Sequence, residues 1–235
     1  SLLLASVSAL CASSAFAATN VSLPRFPAVS PDGQRVAFSW RGDLWLIPTA
    51  GGEARRLTAH PADELNSAFS RDGKQIAFIS TRNGYQNIYC MNTDGTDLRH
   101  VYHTDRPVGL WSFESDKGEP VIIFNARIEP DEFPGLRPYS IGLNGGEPTR
   151  LFDAFGSTAS ISPDGSKILF TRGGADWNRR GYRGPDAREL WLFERATKQY
   201  KRLTTFNGND GKARWLDDRT FVFLSDRNNN GLNLY

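Results

Sequence analysis

Two cysteines, Cys11 and Cys90, are all the thiol chemistry that these 235 residues contain. That excludes a disulfide framework, and once a leader carrying Cys11 is removed no intrachain bridge is possible. Cys90 follows Tyr89 inside a strand pattern and reads as a small buried apolar residue. Histidine is as scarce, with His60, His100 and His103. His60 has no neighbouring ligand, and His100 and His103, three apart at a strand end, are expected on opposite faces. No zinc site is expected. A dominant charge is also missing: 28 Lys and Arg against 26 Asp and Glu leave +2, which singles out neither nucleic acid nor an acidic membrane surface. There is no long helical period and no G-x-S-x-G elbow. "AFGSTAS" around Ser157 lacks the second glycine and reads as a connecting segment. No catalytic residue, metal ligand or cofactor site is assigned.

The first seventeen residues, "SLLLASVSALCASSAFA", carry no charge and end in Ala15-Phe16-Ala17. They read as the rear of a secretory signal peptide cut after Ala17, truncated because the basic start is missing. Leu10 makes Cys11 a poor lipidation site. The expected organisation is residues 1–17 as leader and 18–235 as the mature domain. The product would be exported, periplasmic or secreted, with no membrane span after cleavage.

What the chain has in quantity is a repeat. Trp45, Tyr89, Tyr139, Trp191 and Tyr235 recur at intervals of 44, 50, 52 and 44 residues. Twelve residues after the first four stand Leu57, Val101, Leu151 and Leu203. A Gly-containing turn precedes a Phe by five residues at Gly33/Phe38, Gly73/Phe78 and Gly165/Phe170, and by six at Gly118/Phe124. Each unit reads as four short strands. "FPAVS", "RVAFSW", "DLWLI" and "ARRLT" are joined by a "PDG" turn and an "AGG" turn, whose residues suit tight reversals. Four-stranded units at this period predict an all-β propeller, with four complete units and three strands of a fifth. One aromatic per unit is expected to pack between blades rather than form a stacking platform.

The pattern "SPDG…IAF…IY…GG…RLT" resembles the propeller repeat of TolB and of the N-terminal region of tricorn-type serine peptidases, over nearly the whole mature chain. "DWNRRGYRGPDARELWLF", Asp176 to Phe193, is more similar to the tricorn-like group. The resemblance implies a six- or seven-bladed ring in the full protein, so residues 18–235 alone would be unstable or prone to aggregate. It also implies a non-catalytic propeller that gates or binds oligopeptides for PDZ-like and serine peptidase domains elsewhere in the chain. The alternatives are a TolB-like propeller that docks periplasmic proteins, or the propeller of a prolyl oligopeptidase-type or amidohydrolase-type enzyme.

Spacing separates scaffold from variation. From the Phe to the next aromatic is 7, 11, 15, 21 and 12 residues, so length changes fall between the second and third strands of each unit. Those loops share one rim, where a peptide or protein ligand is expected. In the fourth unit Arg179, Arg180, Arg183 and Arg188 lie beside Trp177 and Tyr182. Guanidinium forks bind carboxylates bidentately, which makes these six the candidate ligand-binding residues. The competing reading pairs them with Asp176, Asp186 and Glu189 or packs them on a neighbouring element. "DRNNNG" at Asp226 matches the start of a calcium loop without its bidentate acid, and reads as a hairpin turn.

Overall fold

Turn residues set out the architecture. In the first blade, Ser30 Oγ donates to Asp32 Oδ1 at 2.5 Å, and Asp32 Oδ1 accepts the Gln34 amide at 3.0 Å. Gly33 takes φ +70, a region closed to most side chains. Ser70-Asp72-Gly73 and Ser162-Asp164-Gly165 repeat this turn, each joining the first two strands of a blade.

The computed structural model describes residues 21–129, 135–179, 181–228 and 231–235. The expected leader, residues 1–17, lies outside them. The described residues form five antiparallel sheets. The first contains β1 (Arg25–Val29), β2 (Arg35–Trp40), β3 (Asp43–Pro48) and β4 (Arg55–Arg56); the second β5 (Glu64–Phe69), β6 (Gln75–Ser80), β7 (Asn87–Asn92) and β8 (Arg99–Tyr102). The third holds β9 (Gly109–Asp116), β10 (Glu119–Ala126), β11 (Arg137–Gly142) and β12 (Thr149–Arg150). The fourth holds β13 (Ser157–Ile161), β14 (Lys167–Arg172), β15 (Glu189–Glu194) and β16 (Gln199–Arg202). The fifth has β17 (Asp210–Trp215), β18 (Phe221–Asn228) and β19 (Gly231–Leu234). Each sheet runs in sequence order, so the fold is the expected propeller of four full blades and three strands of another. No helix occurs among the described residues.

The apolar core lies between blades. Phe78 faces Tyr89 across β6 and β7, and both pack with Ala37, Leu44 and Leu46 of the first blade. Phe124 and Tyr139 repeat this against the second blade, and Phe170 and Trp191 against the third. The periodic aromatics are therefore inter-blade packing, as expected. Among the described residues no blade precedes Trp45. It is half-buried against the edge of Trp40, 5.3 Å between ring centroids. Cys90 is fully buried between the second and third blades, and burial pushes its thiol up to about 11.

The innermost strands β1, β5, β9, β13 and β17 line a central cavity of about 440 Å³. Each carries a bulge. In four of them the bulge places a non-glycine residue at left-handed φ: Phe26, Asn66, Thr158 and Lys212. Inside the cavity Arg214 Nη1 donates to Glu114 Oε1 at 2.7 Å and Nη2 to the Trp111 carbonyl at 3.0 Å. Glu114 Oε2 accepts the Ile161 amide at 2.7 Å. One ion pair thus joins blades three, four and five.

Candidate functional site

The two rims are built differently. On the turn rim, neighbouring blades are tied by arginines: Arg35 reaches the Gly73 carbonyl at 2.9 Å, and Arg195 grips both oxygens of Asp116 at 2.5 and 2.7 Å. On the other rim the connections between the second and third strands run beside the links between blades. Gly42 O accepts the Glu64 amide, Leu136 O the Gly156 amide, and Arg188 O the Asp210 amide. The variable connections therefore do share one rim.

Five of the six candidate residues lie in the described part of the fourth connection; Arg180 lies outside the described residues. Trp177 lies between Arg188, 5.0 Å from its ring centroid, and Lys212 of the fifth blade at 5.1 Å. Burial lowers the pKa of both cations. Arg188 also donates to the Ala175 carbonyl at 2.7 Å and the Gly173 carbonyl at 3.3 Å. Arg183 meets Asp226 at 3.2 Å and lies over Phe206. Arg179 stacks on Tyr182 at 4.3 Å. Asp226 sits between strands, where its carboxylate accepts the Asn209 amide, Asn209 Nδ2 and the Gly181 amide. The nearby acids have other tasks: Asp186 accepts the Gly174 amide, and Glu189 pairs with Arg202.

One expectation needs correction. His100 and His103 are not on opposite faces, since their rings meet edge to face at 5.6 Å. β8 stops at Tyr102, so strand alternation does not extend to His103. His100 is stacked on Tyr89 at 4.5 Å and bonded to Asn87. Ser157, read as part of a connection, begins β13.

Sequence reading missed a recurring arginine. In the second blade Glu64 stands opposite Ser80, and Arg82, two residues on, bonds to both. In the fifth blade Asp210 stands opposite Ser225, and Arg227 bonds to both at 2.9 Å. The first blade differs: Ser39, opposite Arg25, directly follows Phe38, and Arg41 lies over Trp40. The third places Gly109 opposite Asn125, one residue past Phe124, so Arg127 is not the counterpart of Arg82, which follows Phe78 by four. The Ser-x-Arg spacing that begins two residues after Phe78 and Phe223 was the available signal, but the acid it needs lies on another strand.

Arg127 borders a cleft of about 630 Å³ between the third and fourth blades, on the variable rim. The cleft is also lined by Leu136, Phe155, Arg172, Asp186 and Arg188. Among the described residues Arg127 and Arg172 have no carboxylate partner, and Arg172 lies over Trp191 at 5.0 Å. Phe155 and Leu136 are exposed.

The chain matches the family described as the tricorn protease N-terminal beta propeller domain over residues 21–235. It is 27% identical over 217 residues to tricorn protease homolog 1 of Streptomyces coelicolor, covering 88% of this chain and 19% of that protein. Its fold is similar to the crystal structure of the tricorn protease, with TM-score 0.71 and 18% identity over 92% of this chain and 21% of that one. It is also similar to TolB from Acinetobacter baumannii, with TM-score 0.60 and 19% identity over 90% of this chain and 51% of that one. The chain thus spans about a fifth of the length of the tricorn relatives it matches.

Proposed function

Because this chain belongs to the tricorn protease N-terminal β-propeller family, we propose that it is the non-catalytic propeller of an exported serine peptidase. It receives oligopeptides on its variable-loop rim and presents them to PDZ-like and peptidase domains elsewhere in the full protein. The observation that carries this reading is the rim itself. Loops of very different length are held there by a repeating scaffold, beside a cleft in which two arginines meet no carboxylate among the described residues. Trp177, Tyr182 and the arginines at 179, 183 and 188 belong to that rim in the fourth blade.

Hydrolysis proceeds in the downstream domain through an acyl-enzyme; the propeller contributes binding and orientation, which act on kcat/KM for substrates long enough to reach it. The test replaces residues 174–187 of the full-length protein with a two-residue turn. Cleavage of octapeptides should fall about tenfold in kcat/KM while a dipeptide chromogenic substrate is unaffected. Equal rates on both substrates would refute the proposal.

The similarity to TolB supports a second reading, a propeller that docks a protein partner without chemistry. A full-length protein that cleaves no peptide but retains a partner through this rim would establish it. Export is tested by fusing residues 1–30 to a reporter active only outside the cytoplasm.

A further inference from the structure

We infer that Asp226 is the positioning residue of the fourth connection: its carboxylate latches the middle of that loop onto the fifth blade and so sets where long peptides meet the rim. This deepens the peptide-binding reading of the rim and rests on it.

The connection leaves β14 at Arg172 and enters β15 at Glu189. Its base is closed by its own bonds. The Ala175 amide donates to the Asp186 carbonyl at 3.0 Å, the Gly174 amide to Asp186 Oδ1 at 2.7 Å, and Arg188 Nε to the Ala175 carbonyl at 2.7 Å. Farther out, the described residues of 176–184 form no helix or strand. A stretch of that kind opens readily unless another element holds it.

The fifth blade supplies the hold. Asp226 Oδ2 accepts the Gly181 amide at 3.2 Å, and Asp226 Oδ1 meets Arg183 Nη1 at 3.2 Å. The same carboxylate accepts the Asn209 amide and Asn209 Nδ2, both at 3.0 Å. Asn209 Oδ1 in turn accepts the Arg188 amide at 3.1 Å. One buried Asn–Asp pair thus grips both the middle of the loop and its return to β15. Trp177 adds a further hold, its ring lying between Arg188 and Lys212 of the fifth blade. Burial opposes the charge on Asp226, yet the Asn209 donors, Arg183 and the Gly181 amide keep its pKa below the ordinary 3.8, so the latch is closed at neutral pH.

Two glycines show that loop and blade are fitted to each other. A Cβ at Gly211 would come within 2.7 Å of the Thr171 side chain and 3.2 Å of the Trp177 ring. One at Gly208 would stand 2.6 Å from both Arg183 Nη1 and Asp226 Oδ1. Tyr182, which carries Arg179 on its ring, lies between the two latched residues Gly181 and Arg183. Asp226 therefore fixes candidate ligand-contacting side chains from a strand that is not part of their loop.

The test uses the full-length protein with Asp226→Asn, which keeps the shape but turns an NH₂ group toward donors. Deuterium exchange of the amides of residues 174–187 should rise about tenfold, while that of β17 and β18 stays within about twofold. For octapeptides the loss should appear as a KM about fivefold higher rather than as a lower kcat, and the preference for octapeptides over the dipeptide substrate should shrink in proportion. Gly208→Ala, which crowds Arg183 and Asp226 without removing the carboxylate, should reproduce both changes, and it decides the matter if Asp226→Asn fails to fold. Unchanged exchange at 174–187 overturns the latch, and the peptide-binding rim then stands or falls on the loop replacement alone. Faster exchange with an unchanged octapeptide KM overturns the positioning role. If the loop replacement also leaves octapeptide cleavage untouched, the peptide reading falls with it.

Discussion

At the scale of single residues, the turn aspartates report the fold through their acidity. Asp164 is held at about 2, below its ordinary value of 3.8, first by the Ser162 hydroxyl and then by the Ser166 amide. A depressed carboxylate stabilises the fold at pH values above 3.8, and that contribution is lost as pH falls from 3.8 toward 2. Ser162→Ala removes the largest cause. The carboxyl carbon of Asp164, followed by NMR, should then titrate closer to 3.8, and the acid limb of the unfolding curve should move to higher pH. An unchanged titration would show that Ser166, through its amide and hydroxyl, holds the charge without Ser162. Asp32 and Asp72 are depressed by the equivalent serines, so the same substitution at Ser30 or Ser70 should act in the same direction.

At the scale of the blade, aromatics on the same face of a blade carry different energy according to what lies against that face. Phe124 is fully buried between the second and third blades, and Phe124→Ala should cost about 3–5 kcal/mol in denaturant unfolding. Trp45 occupies the corresponding outward face of the first blade, where its contacts are with Trp40 and the Trp40 carbonyl. In this chain alone Trp45→Ala should cost about 1 kcal/mol. A similar loss at both positions would mean that the blades are not stabilised chiefly by their shared faces. The strand pattern itself was readable from turn residues and alternation. The fourth strands were placed at "ARRLT" and its repeats, but their length was not, because β4 and β12 shrink to two residues each. The strand end at Tyr102 was equally invisible, and it decides where His103 points.

At the scale of the whole molecule, Glu114 and Arg214 hold three blades around the central cavity. Burial raises the Glu114 pKa despite the facing guanidinium, so the charged pair is kept at a desolvation cost. Arg214→Ala strands Glu114 and its accepted Ile161 amide. It should lower stability by about 2–4 kcal/mol, while Arg214→Ala with Glu114→Gln should recover part of that loss. No recovery in the double variant would assign the effect to lost packing of Arg214 on Trp111. Spacing along the chain was sufficient for the blade count, the turns, the inter-blade aromatics and the rim on which loops vary, because each is a local or periodic property of a strand that must bury one face. Pairing across strands and blades was not available to it. The arginine loop of the fourth unit read as a ligand site on composition, yet Asp226, 43 residues beyond Arg183, and the Trp177 ring take up much of its charge. Arg82 and Arg227 drew no notice in the linear order, and their charges are spent once Glu64 and Asp210 are seen beside them. Local geometry follows from neighbours along the chain, but whether a charge is spent or available depends on which distant residue the fold sets against it.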